Sequence, residues 1–327
     1  MKFEFSAGTV VYRYRGGRRM FLFLKRQEGW LDAPKGHIEK GENALEAAIR
    51  ETREEAGLRV EPDPDFRRRI EYWFVRDGER IKKSVTFFLA KPGAGARIKV
   101  SQEHVGYEWL DMDAAMRKIS FADQREALVA ADSFISRREA VDRVNSEYRR
   151  LPGRGAGWKL SRRFVPGDGP VDAEVMIIGQ APGAKEDQTG KPFVGVSGRL
   201  LDKLIERAGL RRDDVYITSV VQFFPPRNRA PTPAEVSMCM PFLERQVRII
   251  RPKIIVTVGN FPSQAVAGIG SVLKSHGTVM KSERFGCYVF ITLHPAAAVR
   301  MKKHLPVIEG DFTRLARVLK DIVRKGV

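Results

Sequence analysis

The segment GHIEKGENALEAAIRETREEAGL, from Gly36 to Leu58, predicts a helix that carries a cluster of acidic side chains. The helix is expected over Asn43–Gly57, because asparagine is a favoured N-cap and glycine a favoured C-terminal stop. Glu54 and Glu55 follow Glu51 by three and four residues, so the three carboxylates share one helix face and repel each other. A cation should offset this repulsion. Carboxylate ligands completed by water suit Mg²⁺ or Mn²⁺.

A solvated helix held by pairs such as Glu46 with Arg50 would explain the helix, but neither the fixed glycines nor Glu42 upstream. The segment resembles the Nudix hydrolase signature at each required glycine, glutamate and arginine, with Thr52 where an aliphatic residue is usual. The resemblance implies an α+β Nudix fold, a mixed sheet between helices, that cleaves a nucleoside di- or polyphosphate.

The Nudix resemblance also implies roles for individual residues. Arg50 holds the glutamates in place, and Glu51 orients or helps to activate water. The implied metal ligands are Glu51, Glu54, Glu55 and the carbonyl of Gly36.

Beyond the signature, the chain is similar to the asymmetric diadenosine tetraphosphate hydrolases of the Nudix family. The matching pieces are Trp30–His37, Ile70–Tyr72, Lys82–Val85, Gln102–Leu110 and Phe121–Ala122. By this similarity Glu103 is a further metal ligand or the general base, and Lys35 and Lys83 contact phosphate. Tyr72 and Phe121 are candidates to stack adenine, and ordinary packing of these two aromatics is an open alternative.

The rest of the N-terminal part predicts strands and a closing helix, which together form a domain over residues 1–134. The predicted strands are Phe3–Tyr14, Met20–Leu24, Arg68–Val75 and Ser84–Ala90, with a turn at Asp77-Gly78 and a helix over Phe121–Phe134. Breaker-rich sequence follows in Leu151–Gly157 and Pro166–Pro170. Residues 135–172 are therefore interpreted as a junction and the start of the second domain.

Residues 173–327 alternate short apolar runs with helical segments. The runs are Val175–Ile178, Val215–Thr218, Ile254–Val258 and Tyr288–Leu293, and the helices are Ser197–Ala208, Pro233–Ile250 and Pro262–Ala267. This order is typical of an α/β architecture with a central parallel sheet. The loop Gly179–Gly183 follows the first strand directly, where α/β proteins usually bind ligands.

Four motifs in this region resemble the uracil-DNA glycosylase superfamily, especially its iron-sulfur branch called family four. They are Gly179–Gly183 with Lys191–Gly195, Tyr216–Val221, Pro225–Pro233 and Leu293–Ala296. The resemblance implies a three-layer α/β fold that flips a base out of DNA. Implied base or DNA contacts are Gly179, Gln180, Phe193 as the stacking ring, Ser219, His294 as donor to the leaving base, and Arg227, Asn228 and Arg229 at phosphates.

Three departures from family four stand out. Gln180 replaces a glutamate, so it can hold a water but cannot take its proton, and Ser219 replaces the asparagine that reads uracil. The four cluster cysteines map onto Tyr148, Leu151, Phe223 and Cys239, which leaves one thiol. We therefore expect no iron-sulfur cluster and expect apolar packing in its place.

The composition is compatible with these interpretations. A chain of 327 residues suits two domains, and the net charge of +18 favours phosphate-bearing partners, although a solvated basic surface would also account for it. No apolar run is long enough for a membrane span and no signal peptide is recognised, so a cytoplasmic location is expected. With two cysteines, separated by 47 intervening residues, no disulfide framework is expected.

Three functional hypotheses follow. The first is a fusion of a nucleoside polyphosphate pyrophosphohydrolase with a glycosylase that acts on uracil or another deaminated base in duplex, mismatched or single-stranded DNA. The second keeps the Nudix enzyme but makes the C-terminal part a non-catalytic DNA-binding module. The third directs the Nudix enzyme to RNA 5′ phosphates.

Overall fold

A computed structural model describes residues 2–151 and 159–324, and the chain divides into two compact units, Met1–Ser136 and Arg137–Val327. The strands of the first unit are β1 Lys2–Arg15, β2 Arg18–Arg26, β3 Leu31–Asp32, β4 Lys35–His37, β5 Val60–Arg76, β6 Glu79–Pro92 and β7 His104–Leu110. Its helices are α1 Ala44–Ala56, α2 Met112–Lys118 and α3 Ala122–Arg149, the last of which continues past the boundary.

The described residues of the first unit form a mixed sheet in the order β3-β2-β1-β6-β5, with β4 added to β1 and β7 to β2. β1 and β6 are parallel, whereas the other pairs are antiparallel. Ala7 and Phe88 of the sheet pack against Ala47 and Ala48 of α1. The predicted α+β fold with a mixed sheet is confirmed.

Helix α1 has the predicted caps. The Asn43 side chain accepts hydrogen bonds from the backbone N–H groups of Leu45 and Glu46, and Gly57 ends the helix at φ 68°. Thr52, which departs from the Nudix pattern, is fully buried, and its hydroxyl lies 2.7 Å from that of Thr9 on β1. The paired hydroxyls satisfy each other, so a polar residue fits a site where an aliphatic one is usual.

The predicted end of α3 at Phe134 is wrong, because the helix continues to Arg149. Buried apolar side chains recur along this extension at Val141, Val144 and Tyr148, three and four residues apart and so on one helix face. The charged residues between them hide that spacing in the sequence.

The junction and domain bounds (1–134, 135–172, 173–327) stay predictions. In the breaker segment Leu151–Gly157, all but Leu151 lies outside the described residues. Asp168, within Pro166–Pro170, pairs in a β-bridge with Ile217, so this cluster forms part of the second unit.

The second unit is an α/β fold. Its strands are β8 Val175–Gly179, β9 Val215–Ser219, β10 Ile254–Val258, β11 Val279–Ser282 and β12 Cys287–Thr292. Its helices are α4 Ala184–Thr189, α5 Val196–Arg207, α6 Pro233–Ile250, α7 Asn260–Ala267, α8 Val272–Ser275, α9 Pro295–Arg300 and α10 Leu305–Arg324. None of the helices that the structure describes in either unit is long and apolar enough to cross a membrane.

The strand order in the second unit is β11-β12-β10-β8-β9, and β12, β10, β8 and β9 run parallel, as predicted. The sequence analysis missed β11, which pairs antiparallel with β12 at the sheet edge. Three of the four residues of β11 are exposed, so the strand lacks the continuous apolar run that marks the central strands.

Aromatic rings fill one corner of the second unit, and two of them, Tyr148 and Phe223, are at positions that the family-four resemblance assigns to cluster cysteines. The fully buried ring of Tyr148 stacks on Phe242 at 4.3 Å and meets Phe164 and Phe223 edge-on, each at 5.2 Å. The Tyr148 hydroxyl accepts from the backbone N–H of Gln222 at 3.2 Å. This ring cluster is the expected apolar packing, and its side chains are not a donor set for iron.

The ring cluster predicts that Tyr148→Ala lowers the free energy of unfolding of the second unit by about 3–5 kcal/mol, because a large cavity opens in its core. Tyr148→Phe should cost about 1–3 kcal/mol, because the buried N–H of Gln222 loses its partner. Hydrogen exchange of β9 peptides across a urea series measures both changes. Leu273→Ala, at a side chain 65% exposed, is the control. Equal effects of Tyr148→Ala and this control would contradict the assignment.

Candidate functional site

Arg50 organises the acidic face of α1. Its Nη1 donates to Glu51 at 2.8 Å and to Glu54 at 3.0 Å, and its Nε donates to Glu42 at 2.9 Å. The hydrogen bond to Glu42 contributes most to raising the pKa of Arg50 above its usual value, and the bond to Glu51 adds to it. A Cβ at Gly36 would lie 2.1 Å from the Glu51 carboxylate, so the glycine leaves room for that group against the backbone. The structure thus places Gly36 against Glu51, and Arg50 joins Glu51 to Glu54.

Glu55 lies deeper than the other glutamates of the cluster. Burial raises its pKa to about 7, although the backbone N–H of Lys35 donates to it at 3.0 Å. Arg26 contacts Glu55 at 3.3 Å and Glu103 at 2.8 Å, which connects the two carboxylates. The sequence analysis missed Arg26, because its position depends on the pairing of β2 with β7 and not on sequence spacing.

The acidic cluster fits a divalent cation by the chemistry of its donors. Within the described residues no three His, Cys, Asp or Glu side chains lie together in the geometry of a metal site. The carboxylates bond to Arg50 and Arg26. Buried His104 Nε2 has no hydrogen-bond partner among the described residues and lies 4.0 Å from Glu55. Carboxylate oxygens crowded at one place, one of them buried, are the donors that Mg²⁺ and Mn²⁺ take.

Two lysines predicted to contact phosphate lie near each other. Burial lowers the pKa of Lys83, and the charge of Lys35 lowers it further. Lys35 forms an ion pair with Asp32, which also accepts from Gln124 at 2.6 Å. Two neighbouring cations, one of them partly desolvated, favour an anion between them.

The aromatic candidates for base stacking lie in two places. Phe121 is 42% exposed and meets Trp30 edge-on at 5.9 Å, and Trp30 is 39% exposed. Tyr72 is half-buried, and burial raises its pKa to about 12. Trp30 was not predicted as a stacking residue. Its contact with Phe121, 91 positions away, could not be seen in the sequence.

The second unit has a cavity of about 670 Å³ at the carboxyl ends of its parallel strands. Gln180 follows β8, Ser219 ends β9, Gly259 follows β10 and His294 follows β12 closely, and all four line the cavity. In open α/β sheets this is the edge where ligands bind.

Phe193 and His294 form the centre of the cavity wall. Their rings lie nearly parallel, at 24°, with centroids 5.8 Å apart. Phe193 has a φ of 54°, a conformation that residues other than glycine rarely adopt. A Cβ at Gly179 would lie 2.7 Å from the Phe193 ring, so only a glycine lets the ring sit there.

The hydrogen bonding of His294 fixes its tautomer. The backbone N–H of Ala296 donates to His294 Nδ1 at 3.0 Å, so a neutral ring carries its proton on Nε2. Burial lowers the pKa of His294 to about 4, and the charge of Arg300 acts in the same direction while Glu186 opposes it. At neutral pH the ring is therefore an uncharged donor.

The loop after β9 divides the three residues predicted to meet DNA. Asn228 lines the cavity, and Arg227 is exposed. Arg229 donates to both oxygens of buried Glu235, at 2.6 and 2.8 Å. The ion pair with Glu235 lets Arg229 support the loop. A contact of Arg229 with DNA stays a prediction.

Glu186 is a cavity residue that the sequence analysis missed. Its side chain is buried, and its carboxylate accepts from the backbone N–H groups of Gly183, Val194 and Gly195 at 3.2, 3.0 and 2.9 Å. A glycine followed three residues later by glutamate at a helix start could have indicated it, since that spacing suits a capping box.

Both parts of the chain match known protein families. Residues 4–131 match the family model described as NUDIX domain, and residues 166–320 match that of the uracil DNA glycosylase superfamily. The chain is 42% identical over 166 residues to the type-4 uracil-DNA glycosylase of Sulfurisphaera tokodaii. The match covers 48% of this chain and 76% of that protein.

The N-terminal part is 34% identical over 143 residues to the asymmetrical bis(5′-nucleosyl)-tetraphosphatase of Mus musculus, covering 40% of this chain and 94% of that protein. A crystal structure of a C. elegans Ap4A hydrolase binary complex is 29% identical, with a TM-score of 0.37, over 41% of this chain and 98% of that one. The chain thus belongs to the Nudix hydrolase family through its N-terminal part and to the uracil DNA glycosylase superfamily through its C-terminal part.

Proposed function

We propose that the first unit hydrolyses nucleoside polyphosphates, dinucleoside polyphosphates foremost, with Mg²⁺ or Mn²⁺. The observation that carries this is the set of carboxylates that Arg50 gathers on α1. The metal ligands would be Glu51, Glu54, Glu55, Glu103 and the carbonyl of Gly36. When bound, the ion would polarise the phosphoryl group and lower the pKa of the attacking water.

The other side chains of this unit bind and orient the substrate. Lys35 and Lys83 offset the charge of the phosphates, and Glu51 or Glu103 accepts the proton of the attacking water. The exposed edges of Trp30 and Phe121, or the ring of Tyr72, offer a surface on which a nucleobase stacks.

Glu54→Gln and Glu55→Gln should each lower kcat for a dinucleoside polyphosphate about 100-fold or more, because each removes a charge that binds the cation. Product release by the full chain across a Mg²⁺ titration measures the effect. Glu79→Gln, an exposed glutamate at the start of β6, is the matched control. Full activity in both variants would disprove the metal assignment.

We propose that the second unit excises a deaminated base from DNA, uracil or hypoxanthine foremost, and that the protein thereby acts in DNA repair. The parallel rings of Phe193 and His294 at the cavity carry this proposal. Phe193 stacks the flipped base, and His294 donates from Nε2–H to the base oxygen that becomes anionic as the glycosidic bond breaks. Gln180 holds a water without taking its proton, so departure of the base and not activation of water drives the reaction.

His294→Ala should slow excision on the order of 100- to 1,000-fold and leave DNA affinity unchanged. The pKa of about 4 predicts no loss of rate through His294 between about pH 6 and pH 8. Below pH ~6.5 the unfolded state binds a proton that the folded state excludes, so His294 destabilises the fold as the pH falls towards 4. Single-turnover excision and hydrogen exchange over this pH range measure both effects.

His304→Ala is the matched control, because His304 belongs to the same unit and does not line the cavity.

Ser219→Asn should raise the preference for uracil, since an amide supplies a paired donor and acceptor. If no base is released while DNA is still bound, the non-catalytic DNA-binding module replaces this proposal. Release of phosphate from 5′-triphosphorylated RNA in preference to dinucleotides would favour the RNA-directed enzyme.

Arg227→Ala should flatten the dependence of log Kd for duplex DNA on log salt by about 0.9, the contribution of one phosphate contact. Arg229→Ala should instead lower stability, because the buried carboxylate of Glu235 loses its guanidinium. Lys281→Ala, on β11 at the opposite sheet edge from β9, is the control. A slope unchanged by Arg227→Ala would count against a phosphate contact at this loop.

A further inference from the structure

Glu186 joins two walls of the cavity in the second unit. Its Oε2 accepts from Gly183, at the end of the loop that follows β8. Its Oε1 accepts from Val194 and Gly195, directly after Phe193. A single buried carboxylate therefore connects the loop that carries Gln180 to the loop that carries the stacking ring.

The environment of Glu186 makes its hydrogen bonds strong. Among the described residues that line the cavity, Glu186 alone is acidic, and its exposed fraction is 9%. Three backbone N–H groups converge on its two oxygens, and hydrogen bonds to an ionised acceptor are stronger than those between neutral groups. A carboxylate with both oxygens engaged is held in place.

Phe193 needs such support. Its φ of 54° is costly for a side chain with a Cβ. On one side, a Cβ at Gly198 would lie 1.6 Å from the Phe193 carbonyl oxygen, so the backbone packs closely there. On the other side, the first hydrogen bond after Phe193 is the one from Val194 to Glu186. The glycine permits the strained conformation, and the carboxylate holds the chain in it.

We propose that Glu186 is a positioning residue for base excision: it holds Phe193 in its strained conformation, with its ring nearly parallel to that of His294. This inference rests on the proposed glycosylase function of the same cavity. Glu186 does not touch the base. It acts through the ring that stacks the base, and its negative charge also raises the pKa of His294 against the effect of burial.

The test compares Glu186→Gln and Glu186→Ala with wild type in the full chain. Glutamine keeps an oxygen for Val194 and Gly195 but turns an amide N–H₂ towards the N–H of Gly183, and alanine removes all three acceptors. We expect the single-turnover rate on uracil-containing DNA to fall about 10-fold for glutamine and about 100-fold for alanine. The Kd for DNA with a non-cleavable abasic analogue should change less than about 2-fold. Glu206→Gln, an exposed glutamate on α5 outside the cavity, is the matched control.

A second measurement separates this inference from the proposed function. The ring resonances of Phe193 in ¹³C-labelled protein should shift in both Glu186 variants and stay unchanged in Glu206→Gln. If wild type releases no base but the ring still shifts, the glycosylase proposal fails and the positioning of Phe193 by Glu186 stands. If the ring does not shift, or if excision by Glu186→Ala matches that of Glu206→Gln, the inference is wrong.

Discussion

Like charges on one helix turn must be offset, and in the first unit the guanidinium of Arg50 does this. Without it, Glu42, Glu51 and Glu54 would repel one another and the loop before α1 would lose the bond from Arg50 to the carbonyl of His37, which is 2.9 Å long. Arg50 is suited to the task because a planar guanidinium offers several donors in fixed directions.

The second unit has the reverse arrangement, in which donors surround one carboxylate. The buried carboxylate of Glu186 is offset by backbone N–H groups and not by a cationic side chain. Because backbone groups offset its charge, Glu186 has no ion pair with a guanidinium among the described residues. His294 stays neutral beside it because burial outweighs the attraction of the carboxylate. Hydrogen bonds to charged groups thus position loops in both units. The central group is a cation, Arg50, in the first unit and an anion, Glu186, in the second.

The sequence predicted the elements whose residues lie close together along the chain. The capped helix α1, its acidic face and the four parallel strands of the second unit follow from caps, spacing and apolar runs. Contacts between distant elements did not follow. Arg26 between two carboxylates, Trp30 against Phe121 and the three donors to Glu186 all depend on strand pairing or loop approach. The end of α3 was missed because charged side chains interrupt its apolar face.

The ring cluster around Tyr148 bears on how the protein matures. A core corner made of aromatic rings assembles as the chain collapses, whereas one held by a metal cluster would wait for insertion of that cluster and lose it on oxidation. Burial raises the pKa of Cys239, beside these rings, to about 11, so little reactive thiolate forms. Ring packing therefore holds this corner together, and the thiol of Cys239 offers oxidants little to attack.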